Sequence, residues 1–124
     1  IDSYLKINEP FVDAIKNFKK QGFKTVLLTD ANAGFFTRKV YVKYPYFKDL
    51  FDEIIISSDI KMTKANPEAF SYALAKIKST PEETLFIDDR KVNVDSAQAL
   101  GINGFVYTEY DSFKKYIETS GIIL

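Results

Sequence analysis

The sequence predicts an α/β domain in three layers, a parallel sheet with helices on both faces. Three observations predict it. Val26–Leu28, Ile54–Ile56 and Leu85–Ile87 are continuous apolar runs, the pattern of strands covered on both sides. The segments between them carry apolar residues at helical spacing, as at Phe70, Ala73, Leu74 and Ile77. Strand and helix alternate along the chain, which favours parallel strands joined by crossover helices.

Each element follows from local residues. Asn8 caps a first helix with Pro10 in its opening turn, and Phe11, Val12, Ile15 and Phe18 form one face. Gly22 suits its C-terminal stop. Val26, Leu27 and Leu28 then read as a buried strand ending at Thr29 and Asp30. A second helix covers about Ala33 to Lys43 and closes before Pro45. The strand Ile54–Ile56 ends at Ser57, Ser58 and Asp59. Asn66 and Pro67 are an N-cap and first helical residue for the helix of Phe70 and Leu74. Next come the strand Leu85–Asp88, a helix near Val94 to Leu100, and a short strand from Gly104 to Tyr107. A last helix starts near Asp111, with Phe113, Tyr116 and Ile117 on one face. The aromatics Phe35, Phe36, Tyr41, Tyr44, Tyr46 and Phe47 are expected in core and edge packing rather than in a ligand cage.

Composition narrows the chemistry. The 124 residues suit one domain, residues 1–124, and 46% of them are hydrophobic, enough for a core. The 17 basic and 17 acidic residues cancel, so no basic excess points to nucleic acid or an anionic membrane. There is no cysteine, hence no disulfide and no thiolate chemistry, which fits a cytoplasmic protein. There is no histidine, which removes the usual general base and most zinc sites. No apolar run reaches membrane-spanning length. The sequence does not begin with Met, so its start is expected to be processed, cloned or truncated.

In α/β sheets of this kind, ligands sit beyond the carboxyl ends of the strands. The polar residues there are Thr29 and Asp30, Ser57 to Asp59, and the adjacent carboxylates Asp88 and Asp89; Lys64 lies on the loop after the second group. Two neighbouring carboxylates at the end of an apolar strand repel each other unless the turn is exposed or a cation compensates them. A hard cation such as Mg²⁺ takes carboxylate oxygen. Thr29 can donate its hydroxyl to a phosphate oxygen, and Lys64 can neutralise phosphate charge. The set suits phosphoryl transfer, which rests on positioning and charge stabilisation and needs neither His nor Cys. The bland readings are a turn threonine, a solvated loop lysine and an exposed acidic turn.

The order of these features resembles the haloacid dehalogenase-like (HAD) superfamily of hydrolases, most of which are phosphatases. TVLLTDAN looks like its second motif, SSDIKMTKANPEAF its third and TLFIDDRKVNVDSAQALG its fourth. The resemblance runs from about Asn8 to Tyr107 and implies a Rossmann-like three-layer fold. It implies phosphate binding at Thr29, Asp30 and Lys64, with Lys64 as the motif lysine of the catalytic site. It implies Mg²⁺ at Asp88, supported by Asp89 directly or through water, and a small phosphorylated substrate. A response-regulator receiver also carries acidic residues, a Thr or Ser and a Lys, but there the acidic pair comes early and the Lys last.

The family's opening motif is absent. Its members begin with a strand ending in Asp-x-Asp, whose first Asp is the nucleophile and whose second is the general acid and base. No Asp-x-Asp follows an apolar run in this sequence: Asp2 precedes Ser3 and Tyr4, and Asp13 lies in a helix pattern. That strand is central in the family's sheet, between those ending at Thr29 and Asp88. Without it the chain reads as the C-terminal part of such an enzyme, with a gap between two strand pairs. The strand comes from the parent protein, from a second chain, or from Tyr4–Ile7 in a rearranged fold. Smaller departures are Ala65 where Pro is common, Ser96 where Gly is common, and Asp30 where Asn is common. An extra carboxylate at position 30 repels a phosphate unless it turns away or meets the metal. A non-catalytic HAD-like binding or regulatory domain is the alternative that the absent nucleophile supports.

Overall fold

The computed structural model describes residues 9–30, 33–57, 59–61, 66–122 and 124. The expectations for Asn8, Tyr4–Ile7, Ser58 and Lys64 concern positions outside the described residues.

Helix α1 (Glu9–Lys20) carries Glu9 in its first turn and Lys19 and Lys20 in its last, matching the helix dipole at both ends. Asp13 lies within it. Gly22 follows at φ 92°, a left-handed conformation that glycine adopts without a Cβ penalty. Strand β1 (Val26–Thr29) comes next. Two short α segments, α2 (Ala33–Phe35) and α3 (Tyr41–Lys43), flank a π-helical turn at Phe36–Val40. The helix expected over Ala33 to Lys43 is therefore interrupted by a wider turn, which buries Phe36 and Val40 together. Phe36 meets the rings of Phe35, Tyr41 and Phe47 at 5.7, 5.9 and 6.1 Å, while Phe35 and Tyr46 are partly exposed, as core and edge packing requires.

Strand β2 (Glu53–Ile56) leads to α4 (Pro67–Ile77), where the Asn66 side chain accepts from the Glu68 N–H at 2.9 Å. Strand β3 is Leu85–Asp88, as expected. Helix α5 spans Lys91–Gln98, beginning three residues before Val94. The earlier start arises because Arg90 stays extended and its N–H turns back to Asp88, so the helix begins right after the strand. Strand β4 (Asn103–Val106) and helix α6 (Tyr110–Thr119) complete the order.

Both strand pairs are parallel: β1 with β2, and β3 with β4. Among the described residues they form two separate two-stranded sheets, with no ladder between β1 and β3. Helices cover both faces. On one side Leu28, Ile55 and Phe86 pack with Phe70 and Leu74 of α4 and Ala97 of α5. On the other, Leu85, Ile87 and Phe105 pack with Ala14 of α1 and with Phe113 and Ile117 of α6. Leu85 and Ile87 thus face one layer and Phe86 the other, the period-2 alternation of a strand buried on both sides. This is a Rossmann-like three-layer α/β arrangement. Burial of each large core side chain contributes about 1.5–3 kcal/mol.

Polar ties fix the strand starts. The Asp52 carboxylate accepts from the Thr25 N–H at 2.7 Å, and the Thr25 hydroxyl donates to the Leu50 carbonyl at 2.6 Å. Lys24, two residues before β1, donates to the Ile77 carbonyl at 2.7 Å and caps the end of α4. Among the described residues no helix is long and apolar enough to cross a membrane.

Candidate active site

Asp88 is the last residue of β3 and is 7% exposed. A carboxylate so buried is stable only with compensation. The Arg90 N–H donates to Asp88 Oδ1 at 2.9 Å, and the Asn93 side-chain amide donates to Oδ2 at 3.4 Å. The Asp88 carbonyl accepts from the Tyr107 N–H at 2.8 Å, which continues the β3–β4 ladder. Strand, turn and the first turn of α5 therefore hold one carboxylate in a set orientation. Asp89 follows and is exposed, so the adjacent pair divides into one buried and one solvated carboxylate.

Thr29 is the last residue of β1 and is half-buried. Its carbonyl accepts from the N–H of Ser57, itself 5% exposed, at 2.8 Å. This joins the carboxyl ends of β1 and β2. Asp30 follows the strand at the rim and is exposed. Lys64 lies outside the described residues.

A cleft of about 940 Å³ separates the two strand pairs. Val26–Leu28 line one wall and Leu85–Ile87 the other, and Asp88 and Asp89 share it. The structure thus brings the acidic pair into one cleft with Leu28, the residue before Thr29.

The acidic pair fits Mg²⁺ in donor type, because Mg²⁺ takes hard oxygen and is commonly held by one or two carboxylates with water and substrate phosphate. It is part of a site only: among the described residues no group of three or more His, Cys, Asp or Glu could hold a metal ion.

Sequence reasoning missed Asn93. It sits in the first turn of α5, is 4% exposed, and is buried beside Val94 and Ala97. An amide five residues after a strand-end carboxylate, on the inward face of the following helix, is the signal by which sequence could have found it.

Residues 1–101 match the haloacid dehalogenase-like hydrolase family. A sesquiterpene phosphatase of Aspergillus oryzae is 33% identical over 95 residues, covering 77% of this chain and 47% of that protein. A putative pyrophosphatase, PpaX, of Caldanaerobacter subterraneus is 28% identical over 101 residues, covering 82% of this chain and 45% of that protein. The chain thus spans less than half the length of these curated relatives. A HAD family enzyme of Bacteroides thetaiotaomicron, solved in complex with magnesium and inorganic phosphate, superposes with a TM-score of 0.74 at 27% identity. That match covers 90% of this chain and 60% of the other. The motif order, the three layers and the family match agree, and the chain belongs to the haloacid dehalogenase-like hydrolases.

Proposed function

We propose that this chain carries the phosphate- and metal-binding half of a Mg²⁺-dependent phosphatase acting on a small phosphorylated substrate. The observation that carries the reading is Asp88, buried at the end of β3 and oriented by the Arg90 N–H and the Asn93 amide. A carboxylate costly to bury and held by two donors at a strand's carboxyl end suits a built ligand site. The phosphatase relatives and the Mg²⁺ and phosphate complex of the Bacteroides enzyme support the same reading.

Each residue has a role in it. Thr29 donates its hydroxyl to a phosphoryl oxygen. Lys64 neutralises charge on the phosphoryl group and steadies it for in-line attack. Asp88 holds Mg²⁺, and Asp89 supports the metal directly or through water. Bound there, Mg²⁺ supplies charge stabilisation to the phosphoryl oxygens. Asp30 borders the phosphate beside Thr29, where its extra carboxylate is accommodated by turning away or by meeting the metal. The nucleophilic Asp and the acid/base Asp come from an Asp-x-Asp segment outside these 124 residues. The nucleophile's oxygen bonds to phosphorus while the ester oxygen leaves with a proton from the acid; water then cleaves the aspartyl-phosphate. The chain alone is inactive.

The test is to assay Mg²⁺-dependent phosphatase activity of this chain alone and joined to a first-motif segment. Activity only in the joined form, lost in Asp88→Asn, is expected. Equal activity in both, persisting in Asp88→Asn, overturns the proposal. One observation favours a second reading, a non-catalytic binding or regulatory domain: the 124 residues contain no Asp-x-Asp after an apolar run. A longer coding sequence with an upstream Asp-x-Asp counts against it.

A further inference from the structure

The charges of this chain cancel as a whole but not locally. From residue 31 to residue 48 there are four basic residues, Arg38, Lys39, Lys43 and Lys48, and no acidic one. The segment includes α2, the π-helical turn and α3. Phe36 and Val40 are buried and hold its inner side. Phe35, Arg38, Val42, Lys43, Tyr46 and Lys48 are exposed on its outer side. Val42 is 72% exposed, more than any other large hydrophobic residue among the described ones. One exposed valine is ordinary. This one shares a surface with an exposed Phe, an exposed Tyr and a local excess of positive charge.

The lysines lie along aromatic rings. The Nζ atoms of Lys16, Lys43 and Lys48 stand 5.1, 5.7 and 5.9 Å from the ring centres of Tyr46, Tyr44 and Tyr41. Ring faces covered in this way are poor platforms for stacked bases, which counts against single-stranded nucleic acid. A purely acidic partner would match the charge and leave Phe35 and Val42 against water. A surface of anionic phospholipid answers both features: its headgroups meet the basic groups, and the apolar side chains between the lysines enter the boundary with the acyl chains. Tyrosine rings suit that level, apolar on one side and polar at the tip. Glu9 and Asp13 of α1 lie within electrostatic reach of Tyr46 and mark the acidic border of the surface. None of these outer residues lines the cleft that holds Asp88.

We propose that the outer side of the segment from Phe35 to Lys48, together with Lys16, docks the chain reversibly on an anionic phospholipid surface. Phe35, Val42 and Tyr46 enter the headgroup boundary, and Arg38, Lys43 and Lys48 meet the lipid phosphates. The docking requires neither phosphatase activity nor a metal, so it holds or fails independently of the proposed function.

The probe is phosphatidylcholine vesicles with and without phosphatidylserine, and bound chain is read by co-sedimentation. Binding is expected only where phosphatidylserine is present, and it should weaken as salt is raised. Lys43→Ala should weaken it about fivefold, the share of one basic residue at an anionic surface. Val42→Asp should weaken it further, since it removes the apolar group and adds a repelled charge; urea unfolding checks that this exposed position leaves the fold intact. Lys114→Ala, on α6, should leave binding unchanged. Equal binding to the two kinds of vesicle overturns the proposal. So does an equal loss in Lys43→Ala and Lys114→Ala, which would show attraction by the whole surface. Tighter binding of an oligothymidylate or a polyglutamate than of the phosphatidylserine vesicles, at the same salt, overturns it too.

Discussion

The Asn93 side-chain amide donates to Asp88 Oδ2 at 3.4 Å, and both residues are more than nine-tenths buried. The bond is long, so its value lies in orientation more than in strength. Asn93→Ala is expected to cost about 1 kcal/mol of stability, read by urea unfolding. Loss of such an orienting partner typically lowers metal affinity about 10–100-fold, so in a complete, active form the Mg²⁺ requirement of Asn93→Ala should rise in that range. Unchanged Mg²⁺ dependence would remove Asn93 from the site.

Gly104 of β4 lies against Val94 and Gln98 of α5. A Cβ there would stand 2.6 Å from Val94 Cγ1 and 2.9 Å from Gln98 Cγ. Val94 is 2% exposed and cannot swing out. Gly104→Ala is therefore expected to destabilise by about 1–3 kcal/mol through overpacking. The double variant Gly104→Ala with Val94→Ala should recover part of that loss. A double-mutant cycle by chemical denaturation checks it, and strict additivity would deny the contact.

Phe113 has no exposed surface and meets the rings of Phe11, Phe105 and Tyr107 at 5.1, 5.9 and 5.7 Å. It joins α1 and α6 to the β3–β4 pair. Phe113→Ala is expected to cost about 3–5 kcal/mol, a large share of a small domain's stability. Phe113→Leu should cost less. Equilibrium unfolding of both variants tests the order.

Glu109 caps α6, its carboxylate accepting from the N–H groups of Ser112 at 2.9 Å and Asp111 at 3.2 Å. Ser112, through its hydroxyl and then its N–H, holds the Glu109 carboxyl below its usual 4.5. The hydroxyl's own close acceptor is the Glu109 carbonyl at 3.1 Å, so the two N–H donors carry the geometry. A lowered folded pKa means the folded chain binds the proton less readily than the unfolded one. The stabilisation is complete above the unfolded value and is lost as pH falls through the folded one. Melting of the native chain and Glu109→Gln, compared from about pH 3 to pH 7, should show a gap at neutral pH that closes in acid. A gap independent of pH would contradict this.

Thr29→Ala tests the phosphate end of the proposed site. Removing one donor aimed at transferring charge typically lowers turnover about 10²–10³-fold. That loss is expected in the form joined to a first-motif segment, with little change in melting temperature because Thr29 is only half-buried. A normal rate in Thr29→Ala would detach this residue from the chemistry.

Much of this was legible in the chain itself. Strand β3 begins and ends where the run Leu85–Ile87 and its following Asp88 predicted, because a strand covered on both faces needs apolar residues at every position. Helix α4 begins at Pro67 behind Asn66, as its capping chemistry requires. The order of Thr29, Lys64 and Asp88 pointed to the family from sequence alone. Helix α5 was misplaced by three residues because its start is governed by Asp88 drawing in the Arg90 N–H, a bond no periodicity reports. The π-helical turn at Phe36–Val40 escaped for a similar reason, since its apolar residues also suit an ordinary helix.

The sequence by itself determined the strands, the helices that cover them, and the family, because these rest on local periodicity and motif order. Only the tertiary structure decided that Asp88 is the buried member of its pair, that Asn93 holds it, and that β1 and β3 face each other across an apolar cleft. Those facts depend on which residues distant in sequence come to share one space. Burial and hydrogen bonding act across that space and leave only a faint trace in the order of residues.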